Sequence, residues 1–279
     1  MNAPVPAGLV SSIRLYAEPF AKHPPAIFSC FPGGGDPLFP FEPGSDRGLG
    51  ILLLCASLHR PGGEARVARS IAKLYMELGN DIFKLNRIPF EDVRAVLMNG
   101  ASPVEAEGQK QIPGILRSVC DFFYKVGSLG DWLSSASDWE TRVREMSEGI
   151  YWMGKLSRWR TKPRYFLWLA SFQPGFAARF PQACDFFWPA GEGHARFYHD
   201  ILSPAAKKPL ATDAETRLRY FTEVGRQIFP LEPWKLFQPL DAYLRPEKEE
   251  YLCREIQGGC RSCSLKTVCP AARHFGVSG

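Results

Sequence analysis

The chain has 279 residues, of which 45% are hydrophobic and 13% aromatic. This composition supplies a substantial core and excludes an intrinsically disordered chain. The formal net charge of +5 is compatible with a nucleic-acid partner, although many proteins without such a partner are equally basic. No apolar run reaches the ~18 residues that a membrane-spanning helix needs, so no membrane partner is expected.

The first 47 residues are dense in proline, glycine and phenylalanine. Closely spaced prolines prevent long helices, while many aromatic side chains favour packing onto a folded body. The segment 1–47 is therefore predicted to be an extended N-terminal arm that packs on the second of two lobes. Its start, MNAPVPAGLVSS, has neither the basic residues nor the apolar core of a signal peptide. The protein is expected in the cytoplasm, associated with the nucleoid if it is bacterial.

Helical periodicity begins after the arm. The run 48–58 is apolar almost throughout, which predicts a buried helix. The next helix carries an apolar stripe of Val67, Ile71, Leu74 and Leu78. Further helical segments follow, so a six-helix lobe that contains a hairpin is predicted over 48–175.

A second helical lobe is predicted over 176–279. Within it, Asp213 is a predicted N-cap, and the helix that follows should bury Leu218, Phe221 and Val224. No polar–apolar alternation of useful length occurs in the chain, so strands are not expected. The predicted fold class is all-α with two lobes, and the protein is expected to be a monomer.

Four of the eight cysteines lie in one short run near the C-terminus, with the spacing C-x6-C-x2-C-x5-C. They are Cys253, Cys260, Cys263 and Cys269. Soft sulfur ligands select zinc, copper(I) or iron–sulfur clusters. Zinc sites usually pair two C-x2-C knuckles across a longer insert, whereas this run has one knuckle on a continuous loop. A [4Fe–4S] cluster held by the loop 253–269 is therefore predicted.

Zinc and a pair of disulfides are the alternatives for this run of cysteines. Disulfides would require an oxidising compartment, which nothing at the N-terminus indicates. The other four cysteines lie in apolar settings and are interpreted as reduced core residues. They are Cys30, Cys55, Cys120 and Cys184.

With this cysteine loop at its C-terminus, the all-α chain resembles the helix-hairpin-helix DNA glycosylases of the endonuclease III and adenine-glycosylase type. The cysteine spacing is that of the family's cluster loop, and the order of helical segments is similar over residues 48–271. The resemblance implies a two-lobed helix-hairpin-helix glycosylase fold with a C-terminal iron–sulfur cluster loop. It also implies double-stranded DNA with a damaged or modified base as the partner, bound at a cleft between the lobes.

The resemblance places two candidate catalytic residues. Lys162 falls where bifunctional members carry an amine nucleophile, which attacks the sugar and forms a Schiff base. Glu192 aligns with the family's catalytic aspartate, whose carboxylate stabilises positive charge on the sugar. Because that aspartate is absent here, Asp185 and Asp200 are alternative carboxylates. Lys162 and Glu192 are expected to face each other across the cleft.

The same resemblance implies residues that contact the DNA. A polar turn at 59–64 would reach into the duplex, and the hairpin would lie at 154–160, where the family's glycine pattern is missing. Candidate contacts to an extruded base are His59, Trp159, Trp188 and His194. Candidate phosphate contacts are Arg60, Lys155, Arg158, Arg160, Arg254 and Arg261. The alternative for each is structural, since aromatic side chains often lie in a core and charged ones on a solvated surface.

The expected function is removal of a damaged or modified base by a DNA glycosylase, with or without β-lyase activity. The alternative is a non-catalytic protein that binds DNA or recognises lesions on the same scaffold. An iron–sulfur nuclease is disfavoured, because that class needs a β-rich core with an acidic site and no such run is present. The sequence does not identify the base.

Overall fold

The structure is a computed structural model, and two compact units divide the chain. The terminal unit comprises Met1–Pro24 with Pro181–Gly279, and the central unit comprises Pro25–Phe180. The described residues are 5–58, 64–77, 81–89, 91–92, 112–151, 153, 161–173, 175–184, 186, 188–190, 192–206, 210–211, 213–243, 246–247 and 250–277. Among the described helices, none combines the length and the apolar character that crossing a bilayer requires.

The central unit is helical, and its helices surround α2. Its described α-helices are α2 (Asp46–Leu58), α3 (Glu64–Glu77), α4 (Ile112–Val126), α5 (Leu129–Ser134), α6 (Trp139–Gly149), α7 (Thr161–Ala170) and α8 (Phe176–Arg179), with 3₁₀ segments at Ala26–Cys30 and Ile82–Arg87. Helix α2 contacts α3, α4, α5 and α7. Its residues from Gly48 to Ser57 are all buried, which is why nearly every position of this helix is apolar or small. The prediction of a buried helix over 48–58 is confirmed.

The segment that precedes α2 folds with the central unit. Phe39 and Phe41 lie against Tyr75 of α3, with ring centroids 5.3 and 5.9 Å apart, and Phe28 lies 5.4 Å from Phe172. These aromatic contacts bury apolar area and hold the irregular chain in place. The expected single arm over 1–47 therefore differs from the structure, in which residues 25–47 belong to the central unit.

The terminal unit joins both ends of the chain. Its described α-helices are α1 (Ala7–Ala17), α9 (Glu192–Phe197), α10 (Ser203–Ala206), α11 (Ala214–Ile228), α12 (Phe237–Ala242), α13 (Leu252–Ile256) and α14 (Pro270–His274). A π-helical segment lies at Tyr198–Leu202, and 3₁₀ segments lie at Glu18–Lys22, Pro181–Cys184 and Pro233–Leu236. Two short strands, β1 (Pro246–Glu247) and β2 (Glu250–Tyr251), pair in antiparallel fashion. Apart from this pair, the described structure is all-α.

Helix α1 was expected to be extended, and the positions of the prolines explain the difference. Pro6 is the N-cap of α1, where a fixed φ is tolerated, and Pro19 lies beyond the end of the helix in the 3₁₀ segment. The intervening stretch is free of proline and can form a helix. Arg14 of α1 donates two hydrogen bonds to the carbonyl oxygen of Ile228 at the end of α11, at 3.0 and 2.6 Å. These two hydrogen bonds join the N-terminal helix to the C-terminal half of the chain.

Helix α11 follows its sequence pattern closely. The Asp213 carboxylate accepts a hydrogen bond from the Thr216 backbone N–H at 2.8 Å, which satisfies one of the free donors of the first turn. Leu218, Phe221 and Val224 are buried. The predicted cap and the predicted buried side of this helix are both confirmed.

Gly193 in α9 is required by a close approach of two backbones. A Cβ atom at this position would lie 2.3 Å from the Asp241 carbonyl oxygen and 2.6 Å from that of Leu240. We expect Gly193→Ala to destabilise the terminal unit by about 2 kcal/mol or more, because backbone must move to relieve the overlap. The control is Gly8→Ala in α1, where a Cβ would meet nothing within 4 Å. This change should be neutral or stabilise by up to about 1 kcal/mol. Urea unfolding followed by circular dichroism measures both, and equal stabilities would contradict the prediction.

Candidate metal centre

The cysteine loop is built from two short helices and a series of turns. Cys253 lies in α13 and Cys269 is the N-cap of α14, while Cys260 and Cys263 lie in turns between them. After α13 the chain reverses through Gly258–Gly259, whose φ angles are +66° and +103°. Only glycine adopts such angles readily, so the six-residue spacer after the first cysteine depends on this glycine pair.

Hydrogen bonds within the loop hold the turns in place. The Ser262 hydroxyl donates to the Gln257 carbonyl oxygen at 2.7 Å. The Gln257 side chain in turn donates to the Tyr16 carbonyl oxygen at 2.7 Å, and Ser264 donates to the Ser12 carbonyl oxygen at 2.8 Å. The last two bonds fasten the loop to α1, which explains how the first and last segments of the chain fold together.

All four cysteines of the run line a single pocket, as the sequence spacing requires of a shared site. The cavity is small, about 30 Å³, and is partly open to solvent. Cys269 is buried, the other three are half-buried, and all four pack against the core of the terminal unit. None of them forms a disulfide.

The pocket disfavours bare thiolates. Burial, with smaller contributions from the neighbouring Cys269, Cys253 and Cys260, raises the pKa of the Cys263 thiol to about 11. Burial and Cys269 likewise raise the pKa of Cys260. A bound cation reverses this preference, because a metal deprotonates the thiols that coordinate it. Four soft donors around one pocket suit an iron–sulfur cluster, and they also suit the alternative of zinc.

The arrangement is not that of a preformed site for one ion. In the part of the chain that the structure describes, no group of three or more His, Cys, Asp or Glu side chains is placed to hold a metal ion. The [4Fe–4S] cluster therefore stays a prediction, supported by the spacing, the donor type and the shared pocket.

Two tyrosines that no sequence motif indicates also line this pocket. Tyr16 comes from α1 and Tyr243 directly follows α12, and each is only 1% exposed. The Tyr243 hydroxyl lies 3.2 Å from Cys269 Sγ and donates to Asp200 Oδ2 at 3.3 Å. The Tyr16 hydroxyl donates to the Pro239 carbonyl oxygen at 2.9 Å. Asp200, an alternative catalytic carboxylate in the sequence, is thus engaged beside the cysteine loop.

The cysteine loop and α14 carry exposed cations. Arg254 and Arg261, which the sequence predicted as phosphate contacts, are exposed, and so are Lys266 and Arg273. The Arg254 guanidinium lies 4.6 Å from the ring centroid of Phe275, which limits its motion. Lys266 donates to the Arg261 carbonyl oxygen at 3.2 Å. The loop therefore presents several cations from a hydrogen-bonded framework.

Lys162 lies in the first turn of α7, within the central unit. Its amine donates to the Ser57 carbonyl oxygen at 2.5 Å. Ser57 is fully buried and lies in the last turn of α2, which ends at Leu58. The structure thus brings the predicted nucleophile to the end of the helix that precedes the predicted DNA-reaching turn at 59–64.

Several predicted site residues fall outside the described residues. They are His59, Arg60, Lys155, Arg158, Trp159, Arg160 and Asp185. The predicted hairpin at 154–160 is among them. Glu192 is the first residue of α9, but its side chain also lies outside the described part.

Trp188 and His194, predicted as contacts to the base, are instead enclosed by the core of the terminal unit. The Trp188 indole donates to the Ala183 carbonyl oxygen at 3.3 Å, and its ring lies 5.5 Å from Trp234. The His194 ring lies 5.1 Å from both Phe221 and Phe237. Exposures of 4% and 1% give both residues a packing role. Their aromatic neighbours are distant in sequence, so the local motif could not reveal this burial.

Burial lowers the pKa of His194 from 6.5 to about 3. Because the folded-state pKa is the lower one, the stabilising effect is complete above pH 6.5 and is lost as the pH falls towards 3. At pH 5 the loss should be about 2 kcal/mol relative to pH 7. In His194→Gln this part of the pH dependence should disappear, whereas His199→Gln, which removes an exposed imidazole, should retain it. Urea unfolding between pH 4.5 and 7.5 measures the slope, and parallel slopes for wild type and His194→Gln would contradict the assignment.

No family model, curated protein or solved structure was found to match this chain. The resemblance to helix-hairpin-helix glycosylases therefore depends on the sequence motifs alone.

Proposed function

We propose that the protein is a DNA N-glycosylase that removes a damaged or modified base, with Lys162 as the amine of an associated β-lyase step. One observation carries the proposal: the four cysteines spaced as in the family's cluster loop line one pocket, and exposed cations lie on the same loop. A protein that needed only a stable helical core would have no use for one buried and three half-buried thiols beside such cations.

The residues of the cysteine loop supply DNA affinity in this proposal. Cys253, Cys260, Cys263 and Cys269 would hold the [4Fe–4S] cluster, which supplies cross-links that fix the loop. Arg254 and Arg261 would then contact phosphates, together with Lys266 and Arg273. Contacts of this kind position the protein on the duplex without reading its sequence.

The central unit supplies the amine. Lys162 is held at the end of α2 by its hydrogen bond to Ser57. In the proposed reaction the neutral Lys162 amine leaves this hydrogen bond and attacks C1′ of the nucleotide, and the C1′–N bond breaks so that the base leaves with a proton. The C1′–O4′ bond then opens, O4′ takes up a proton, and a Schiff base forms between Nζ and the sugar. Glu192 would stabilise the positive charge that develops on the sugar as the glycosidic bond breaks.

The second candidate function is DNA or lesion binding without catalysis on the same scaffold. The hydrogen bond that engages the Lys162 amine with a backbone carbonyl favours this candidate, since it gives Lys162 a structural role. Both candidates predict binding to duplex DNA, and they differ in whether a base is released.

The test is a base-release assay with anaerobically purified, iron-loaded protein. Duplex oligonucleotides that each carry one oxidised, alkylated, deaminated or abasic position are incubated with the protein, and free base and strand scission are measured. Release of one class of base supports the glycosylase. Binding without release or scission, unchanged in Glu192→Gln, supports the non-catalytic protein and defeats the enzyme proposal.

A further inference from the structure

The side chains of Asp200, Tyr243 and Cys269 form a continuous hydrogen-bonded series beside the cysteine pocket. The Tyr243 hydroxyl lies between Cys269 Sγ at 3.2 Å and Asp200 Oδ2 at 3.3 Å. Tyr243 is buried, whereas Asp200 is half-buried and lines an open groove with residues of α1 and of the cysteine loop. One ligand sulfur of the candidate metal centre is thus linked through one phenol to one carboxylate at the surface.

The number of protons shared by Asp200, Tyr243 and Cys269 depends on whether the Cys269 sulfur is a thiol or a thiolate. A phenol has one proton to donate and can also accept. While Cys269 is a thiol, S–H can donate to Tyr243 and Tyr243 can donate to Asp200, so every group is satisfied. Once Cys269 is a thiolate, as a metal ligand must be, the sulfur and the carboxylate both accept and a single hydroxyl proton serves two anions.

We propose that Tyr243 and Asp200 together set the reduction potential of the iron–sulfur cluster, an inference that rests on the proposed metal centre. Hydrogen bonds to the sulfurs and nearby charge are main controls that a protein has over such a potential. Uptake of one electron from a one-electron reductant makes the cluster and its sulfurs more negative. A donor at Cys269 Sγ therefore favours the reduced state, while the Asp200 carboxylate disfavours it.

Tyr16 differs from Tyr243 in the acceptor that it faces. It lines the same pocket, but its hydroxyl donates to the neutral carbonyl oxygen of Pro239. The Tyr16 hydroxyl also interacts with the Cys253 side chain, so its proton is shared between a sulfur and a neutral carbonyl, whereas that of Tyr243 is shared between a sulfur and a carboxylate. Cys269, the last ligand of the run, is therefore the position at which a hydrogen-bond donor and a carboxylate have opposite effects on the reduction potential.

The experiment compares three variants of the full chain after anaerobic reconstitution with iron and sulfide. Redox titration followed by electron paramagnetic resonance gives the midpoint potential of each. Tyr243→Phe removes the donor and should shift the potential to a more negative value. Asp200→Asn removes the charge, leaves an amide oxygen to accept from Tyr243, and should shift it to a more positive value. The matched control is Tyr220→Phe, a buried tyrosine of the same core that contacts Tyr198 and Phe221, and it should leave the potential unchanged.

Opposite shifts of the two variants support the inference, because a merely structural role would not give opposite signs. An unchanged potential in Tyr243→Phe at wild-type iron content overturns it, and so do shifts of both variants in the same direction. If Tyr243→Phe does not fold, the sign of the Asp200→Asn shift decides. A wild-type chain that takes up no iron overturns the metal centre and this inference together, whereas loaded protein that releases no base defeats only the glycosylase proposal.

Discussion

Cys263→Ser is expected to abolish stable iron binding. The Cys263 side chain lines the pocket and interacts electrostatically with the other three cysteines of the run, so its loss removes a donor from the middle of the set. Changes to groups that merely support a metal ligand cost about 10- to 100-fold in affinity, and loss of a ligand should cost more. Iron and acid-labile sulfide per chain, together with the visible absorption of the anaerobically purified protein, measure the effect.

The matched control is Cys120→Ser, the same chemical change at a buried cysteine of the central unit. Burial raises the pKa of the Cys120 thiol to about 12, and the thiol has a hydrogen-bond partner in the backbone of Leu85. A serine hydroxyl can keep that partner, which limits the cost of burying it. Iron content should equal that of wild type. Full iron content in Cys263→Ser, or an equal loss in Cys120→Ser, would show that the four-cysteine run does not hold the iron.

Loss of the metal should also loosen the cysteine loop. The loop begins in the five-residue helix α13, continues through turns and ends at the start of the five-residue helix α14, so regular structure contributes little to its stability. Metal ligation contributes to folding where a site links segments that are otherwise weakly held. In Cys263→Ser, backbone amides of the loop should therefore exchange faster than in wild type, while amides of α2 in the central unit should not change.

The elements that the sequence predicted well are those whose signals are local. The buried helix over 48–58 is visible in its composition because α2 is surrounded on all sides. The start of α11 is visible because Asp213 caps a backbone N–H only three residues away. Both signals act over a few residues, so one sequence was enough to recognise them.

The N-terminal 47 residues were interpreted less well because their composition was averaged over two different structures. Residues 7–17 form α1 between flanking prolines, whereas the aromatic residues between 28 and 41 pack into the central unit. A high mean content of proline concealed a proline-free segment long enough for a three-turn helix. The point at which the chain passes from one unit to the other depends on contacts with distant residues, and the local sequence does not contain them.

For the candidate site, the sequence identified the sulfur ligands and missed their surroundings. The cysteines are recognisable because short spacing alone brings them together. Tyr16 and Tyr243 reach the same pocket from opposite ends of the chain, which no local motif indicates. His194 shows the reverse case, because a motif position implied contact with the base while Phe221 and Phe237 enclose the ring.

Lys162→Ala is expected to abolish the covalent adduct that borohydride forms between the protein and abasic DNA. Reduction traps the Schiff base between an amine and the sugar, so the adduct identifies the amine directly. We expect a decrease of more than about 100-fold, since removal of a nucleophile in other enzymes costs several orders of magnitude. Denaturing electrophoresis of labelled duplex DNA after reduction measures the adduct. Lys125→Ala, which removes an exposed lysine of α4, should leave the adduct at the wild-type level.

Lys162→Arg separates the chemical role of the amine from its structural role. Arginine can still donate to the Ser57 carbonyl oxygen and hold α7 against the end of α2, but in proteins it stays protonated and cannot act as a nucleophile. This variant should retain wild-type stability and DNA affinity and form no adduct. Adduct in either Lys162 variant would assign the amine to another residue. If the wild-type protein releases base but forms no adduct, the enzyme is monofunctional. Cleavage would then proceed without a covalent intermediate, so the Glu192 carboxylate would have to activate water.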